Sequence, residues 1–316
     1  MLLLSFMSNN DNAIVANPIA PSNPSSALTW GFLGVAAFSL TLPATKIAVA
    51  TMDGLVVGLG RSLVAAACAL LLLIWYRVPV PRRSSWPRLG LIVMGVIVGF
   101  PLFTALALRS VPSSHGAIVV GLLPTATALM GVIRGRERPS FSFWMAATVG
   151  FVAILMFCAA SGMGKLHLAD GFLLLAVVLA ALGYAEGALL AREIGSWQTI
   201  CWALVFSAPV LAPVVFGRIL AVGCAPSGVS LIGFAYLSLV SMFLGFFAWY
   251  RGLALGGIAR VGQLQLAQPV MTLGWGHLLL GESISALQIT TATAVLVSVW
   301  ASLRLRASPA AQIAHA

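Results

Sequence analysis

Ten apolar stretches, each close to 20 residues long, alternate with short polar breaks along the chain. They run over 28–50, 54–76, 87–108, 114–133, 142–160, 170–191, 197–217, 229–251, 257–280 and 284–304. None shows the apolar–polar alternation of a membrane strand. A bilayer core about 30 Å thick takes roughly 20 apolar residues as a helix, and a helix satisfies its own backbone in lipid. The pattern predicts an all-α integral membrane protein of ten transmembrane helices. Residues 1–27 and 306–316 read as tails, the first rich in the Asn, Ser and Pro of disordered segments. Its opening MLLLSF has no basic flank and meets polar residues too soon for a signal peptide.

The second half of the pattern repeats the first. Shifted by 145 positions, Pro269 falls on Pro124, Thr272 on Thr127, Gly276 on Gly131 and Glu282 on Glu137. Ser285, Ala292, Thr293 and Val297 fall on Ser140, Ala147, Thr148 and Val152. A period this long indicates duplicated domains rather than a solenoid. Each copy holds five helices, an odd number, so the second copy enters the membrane upside down. The prediction is a 5+5 inverted repeat, with units 28–160 and 170–305 joined by an external linker, 161–169. Inverted repeats are a transporter architecture, because exchanging the conformations of the halves turns an inward-open state outward-open.

Composition agrees. Sixty per cent of residues are hydrophobic and 8% charged, against about 25% charged in a soluble domain; mean hydropathy is +1.04. The net charge of +10 comes from Lys and Arg between apolar runs, which leaves no basic face for nucleic acid. With the N-terminus inside, twelve of these residues fall on one side (Arg77, Arg82, Arg83, Arg88, Arg134, Arg136, Arg138, Arg192, Arg251, Arg260, Arg304 and Arg306). Five fall on the other (Lys46, Arg61, Arg109, Lys165 and Arg218). The positive-inside rule then puts both termini in the cytoplasm. Cys68, Cys158, Cys201 and Cys224 are isolated, with neither metal nor disulfide spacing.

The stretch AQPVMTLGWGHLLLGESISALQITTATAVLVSVW, its weaker partner GLLPTATALMGVIRGRERPSFSFWMAATVGF and the small-residue helix GLVVGLGRSLVAAACALLL carry a resemblance to the EamA-type branch of the drug/metabolite transporter superfamily. It covers about 28–305. The resemblance implies a monomeric secondary transporter of small metabolites in the plasma membrane (in bacteria, the inner membrane), often an exporter of amino acids or similar solutes. It also implies a central cavity lined by the first, third, fourth, sixth, eighth and ninth helices.

Polar residues inside apolar helices are the candidate substrate contacts. Glu186 in the sixth helix is either a cavity acid, for a cationic group or a coupling proton, or a carboxylate paired with Arg192 or a neighbouring helix. Tyr184 lies beside it, and Gly183 and Gly187 permit close approach of another helix. In the ninth helix Gln265 and Gln268 share a face, whereas Gln263 sits on another. Thr127 is the repeat mate of Thr272. Ser39 and Thr41 in the first helix, Phe103 and Thr104 in the third and Ser241 in the eighth complete the set. Pro43, Pro101, Pro124 and Pro269 are expected hinges, and Pro269 frees a carbonyl near the midplane.

Other residues have plainer expected roles. Lys46 and Arg61 are expected to snorkel or to pair with Asp53. His115 is expected at the interface and His277 in the core. Trp30, Trp75, Trp86, Trp144, Trp197, Trp249 and Trp300 are expected in the aromatic belt. Glu137 and Glu282 each precede an apolar helix and are expected to cap it, with no role in transport.

The function expected is secondary transport of a small metabolite such as an amino acid or amine. The partners are that solute, membrane lipid and, if transport is coupled, protons; no cofactor or metal is expected. The alternative is a polytopic membrane enzyme acting on lipid or peptide. It would need a Ser–His pair, paired intramembrane aspartates or a zinc helix, and the sequence shows none of these.

Overall fold

The computed structural model describes residues 24–286 except 142, 146–147, 150, 153–167 and 224, together with 289–290, 293–294 and 297. The described residues form helices and turns, with no strand among them. Six helices are long and apolar enough to cross a membrane: α1 (Ser25–Val49), α2 (Gly54–Trp75), α3 (Arg83–Ala107), α6 (Leu168–Ile194), α7 (Ser196–Val222) and α8 (Gly228–Gly256). Between them lie two broken helices. α4 is Ser113–Val120 followed by Leu123–Ile133, and α9 is Ile258–Gly262, a 3-10 turn Gln263–Leu266 and Ala267–Leu280. The described residues within 141–152 and 286–297 are helical and are labelled α5 and α10. Most of the expected fifth and tenth spans, the linker and the tails lie outside the described residues. α1 starts at the outset of the expected tail's last turn, near Pro24, and α6 and α7 run a few residues past their expected ends, because polar end residues such as Glu193 and Arg218 extend a helix without leaving water.

Large apolar side chains point outward along these helices. Leu71, Trp75, Phe216, Leu220 and Ile232 are each at least 60% exposed, an apolar surface too extensive for water and suited to lipid.

The expected hinge prolines mark real discontinuities. α1 breaks at Leu40, three residues before Pro43. A π-helical segment, Val93–Gly99, immediately precedes Phe100 and Pro101. The α4 break immediately precedes Leu123 and Pro124, and the 3-10 turn of α9 ends three residues before Pro269. Proline cannot donate to the carbonyl four residues back, and lipid offers no substitute. Neighbouring helices supply one. The Ser39 carbonyl, orphaned by Pro43, accepts from Thr272 Oγ1 of α9 at 2.7 Å. The Ile97 carbonyl, orphaned by Pro101, accepts from Ser62 Oγ of α2 at 3.1 Å. A second π segment, Tyr236–Leu244 in α8, overlaps that of α3 under the 145-residue shift.

Small residues set the closest crossing. A Cβ on Gly95 of α3 would sit 2.3 Å from the Leu179 carbonyl oxygen and 2.9 Å from the Gly183 nitrogen of α6. The backbones of α3 and α6 therefore touch.

Candidate functional site

A small cavity opens between six of these helices. Its wall is built by Phe38 and Thr41 of α1, Arg61 of α2, Val96 and Phe100 of α3, Ala180 and Tyr184 of α6, Ser241, Met242 and Phe246 of α8, and Gln268 of α9. α2 thus contributes where α4 was expected. Thr41 Oγ1 and Ser241 Oγ hydrogen-bond at 2.8 Å, tying α1 to α8. Three of these wall residues, Phe38, Tyr184 and Phe246, form one aromatic cluster with Trp249, with ring centroids 4.8–6.5 Å apart. Trp249 is fully buried there and Trp197 nearly so, so neither belongs to the interfacial belt; Trp75, at 81% exposure, does.

Of the expected contacts, Thr41, Tyr184, Ser241 and Gln268 line the cavity. The remainder are engaged elsewhere. Ser39 Oγ donates to the Ala36 carbonyl and accepts from Trp275 Nε1. Phe103 stacks on Phe172 at 5.8 Å. Thr104 donates back to Phe100 O at 2.6 Å. Thr127 Oγ1 donates to Gln265 Oε1 at 3.3 Å, joining α4 to α9. Gln263 is buried, and neither of its amide atoms has a hydrogen-bond partner among the described residues.

Glu186 is fully buried and hydrogen-bonded by Arg134 Nε, with Arg88 Nε at 3.9 Å from its other oxygen. Arg88 also pairs with Glu193. The partner of Glu186 is therefore the end of α4 rather than Arg192, whose guanidinium instead lies 3.9 Å from Glu137.

Sequence reasoning misplaced Arg61. It is 2% exposed and on the cavity wall, so it does not snorkel. It does not pair with Asp53, which caps its own helix through Leu55 N and accepts from Arg218 at 2.9 Å. Arg218 holds the Asp53 carboxyl below its ordinary pKa, against partial burial, and the Leu55 and Val56 amides assist. Lys46 caps the end of α3, donating to Leu108 O and Val111 O at 2.9 and 3.1 Å. His115 pairs with buried Asp170 at 2.7 Å. His277 is exposed rather than in the core, and its Nδ1 lies 2.9 Å from the Glu282 carbonyl.

Among the described residues, each repeated glutamate caps a helix of the other copy rather than the one it precedes. Glu137, at the end of α4, accepts from Ile258 N and Ala259 N, both at 2.7 Å, at the start of α9. Glu282, at the end of α9, accepts from Ser113 N and Ser114 N at 3.1 Å and from Ser113 Oγ at 2.9 Å, at the start of α4. The amides at a helix start have no intrahelical acceptor, and a carboxylate there also meets the positive end of the dipole. Residues 113, 114 and 137 correspond to 258, 259 and 282 under the same 145-residue shift. Gly131 and Gly276 accept from the Glu137 and Glu282 amides, at 3.1 and 3.2 Å. A Cβ on either would press on the carboxylate, at 3.2 and 3.0 Å. Thus α4 and α9 run antiparallel, each closed at its start by the other's glutamate. That accounts for the Gly and Glu shared by both copies. The sequence displays the equivalence but not the pairing.

Among the described residues no three His, Cys, Asp or Glu side chains gather as a metal site. The EamA-like transporter family model matches the chain twice, over residues 25–159 and 167–304. The chain is 43% identical to the uncharacterized transporter YdeK of Bacillus subtilis (strain 168) over 274 residues, 87% of this chain and 96% of that protein. An uncharacterized transporter of Archaeoglobus fulgidus is 24% identical over 230 residues, 71% of this chain and 81% of its own. A crystal structure with 17% sequence identity superposes on 89% of this chain and 99% of its own with a TM-score of 0.70, which shows the fold. The chain is a multi-pass membrane protein, in a bacterium one of the inner membrane, and it belongs to the EamA-like transporter family of the drug/metabolite transporter superfamily.

Proposed function

We propose that the protein is a secondary transporter that exports a metabolite of amino-acid size, carrying it in the central cavity by alternating access of two inverted five-helix repeats. Both termini lie in the cytoplasm. The observation that carries this reading is the reciprocal capping of α4 and α9. α4 runs from Ser113 to Ile133, about 30 Å at 1.5 Å per residue, close to the thickness of the hydrocarbon core. One glutamate latch therefore stands at each membrane face, with the cavity between them. Glu282 closes the outer face and Glu137 the inner. A carboxylate at a helix start stabilises by up to about 2 kcal/mol when partly buried, weak enough to release thermally and strong enough to bias a two-state equilibrium roughly 30-fold.

In the outward-open state the Glu282 latch parts while Glu137 holds; in the inward-open state the reverse. Pro43, Pro101, Pro124 and Pro269 supply the bending points, because each follows a break in its helix. At the inner face Arg134 and Glu186 tie α4 to α6, and at the outer face His115 and Asp170 do the same. These pairs part with the latches. Glu186 is then an inner-gate carboxylate and, when its arginine withdraws, the group that takes a coupling proton.

The test is flux. Purified protein in liposomes loaded with a pH-sensitive dye is challenged with pools of amino acids, organic acids, amines, nucleosides and vitamins, and radiolabelled counterflow is measured in parallel. Solute-specific flux or exchange by at least one pool is expected. Silence in both assays across every pool contradicts transport.

A further inference from the structure

Arg61 has no task in the gating scheme, and its position is costly. It lies seven residues into α2, roughly 10 Å past the helix start, at 2% exposure. Its Nε has no hydrogen-bond partner, and the guanidinium has no ion pair among the described residues. Asp53, the acid nearest in sequence, is bound to Arg218 and to its own helix. No aspartate or glutamate lines the cavity. A buried arginine without a counter-charge is among the least favourable side chains in a membrane, and an apolar residue of similar volume would be more stable there. The charge is therefore kept for something that enters.

What enters can be read from the wall. The planar guanidinium fork matches a carboxylate with two parallel hydrogen bonds. Around it Phe38, Phe100 and Phe246 offer ring faces and edges, while Thr41 and Gln268 offer polar contacts. We propose that Arg61 is the specificity-determining residue and binds the carboxylate of an organic acid whose apolar body lies against those three phenylalanines. An amino acid qualifies through its carboxylate. A bare amine does not, because the cavity holds a cation and no acid, which reverses the sequence-based expectation of an amine. Neutralising Arg61 also removes the charge that opposes closure of the cavity, so the acid itself promotes occlusion. The inference rests on the transporter reading for its physiological meaning, but its test is a binding measurement.

The thermal unfolding midpoint of the detergent-solubilised protein is followed against 3-phenylpropionate, phenylalanine, phenethylamine and inorganic phosphate. The two carboxylates are expected to raise the midpoint with concentration, and phenethylamine and phosphate are not. In R61Q the apparent affinity for both carboxylates is expected to fall roughly tenfold to hundredfold, the worth of a charged hydrogen-bonded pair. The empty R61Q protein is expected to unfold at or above the wild-type temperature, because an unpaired buried charge is gone. R61K, which keeps the charge and loses the fork, is expected between the two. Stabilisation by phenethylamine or phosphate instead, no carboxylate response in the wild type, or unchanged affinity in R61Q would each overturn the inference. A destabilised empty R61Q would show an internal partner and also overturn it. Carboxylate binding without flux in liposomes would contradict transport while leaving the Arg61 site standing; flux of a solute unaffected by R61Q would do the opposite.

Discussion

At the scale of single residues, charge placement separates the two ionic features of the interior. Glu186 is buried but hydrogen-bonded by Arg134, whereas Arg61 is buried on the cavity wall without a partner among the described residues. On the proposed reading the first is a tie that parts during transport and the second binds the substrate. Glu186→Gln is expected to abolish the pH dependence of transport while leaving the protein folded, measured as flux at a series of pH values. An unaltered pH profile would remove Glu186 from any coupling role. Asp53 provides a contrast outside the membrane. Its carboxyl is held below its ordinary pKa, chiefly by Arg218, so its ionised form contributes stability above pH 4 that is lost as pH falls through the lowered value. Asp53→Asn keeps the cap and loses the pair; its midpoint should trail the wild type at pH 7 and meet it in acid. Asp53→Ala loses the cap as well, about 1 kcal/mol more. The sequence did not reveal either arginine's role. One Arg near the start of an apolar helix looks the same whether it reaches the interface or lies under α6 and α8, and only packing decides.

At the scale of elements, the sequence marked the right breaks and misjudged which neighbouring side chains reach the cavity. Four prolines pointed to four discontinuities, and each is present. Phe103 and Thr104 were expected on the cavity, yet Val96 and Phe100 occupy it. Thr104 lies one turn beyond Phe100 and donates its hydroxyl back to the Phe100 carbonyl, while Phe103 stacks on Phe172 of α6. Thr127 failed for another reason, because its face of α4 is taken by Gln265 of α9. Gly183, expected to permit close approach of another helix, does meet one, at Gly95 of α3. Gly95→Ala would drive a methyl group to 2.3 Å from the Leu179 carbonyl oxygen, backbone that cannot swing away. A loss of about 1–3 kcal/mol is expected, read as a lowered unfolding midpoint in detergent. A neutral result would mean that α3 and α6 are not held this closely.

At the scale of the whole molecule, a duplication visible as eight shared positions becomes two latches at opposite ends of one antiparallel helix pair. The equivalence of Glu137 and Glu282 was legible in the sequence. Their reciprocity was not, because a repeat shows which residues correspond and not which copy each one touches. Both glutamates cap their helices in this structure, and on the proposed reading they let go one at a time. The most direct test places a single reporter, T41C, on the cavity wall in a background lacking Cys68, Cys158, Cys201 and Cys224. Labelling by a membrane-impermeant maleimide is compared in right-side-out and inside-out vesicles. Glu282→Gln is expected to speed labelling from outside by up to roughly 30-fold, the equivalent of about 2 kcal/mol, and to slow it from inside; Glu137→Gln is expected to do the reverse. Equal acceleration from both faces in either variant, or no change in both, would contradict the account.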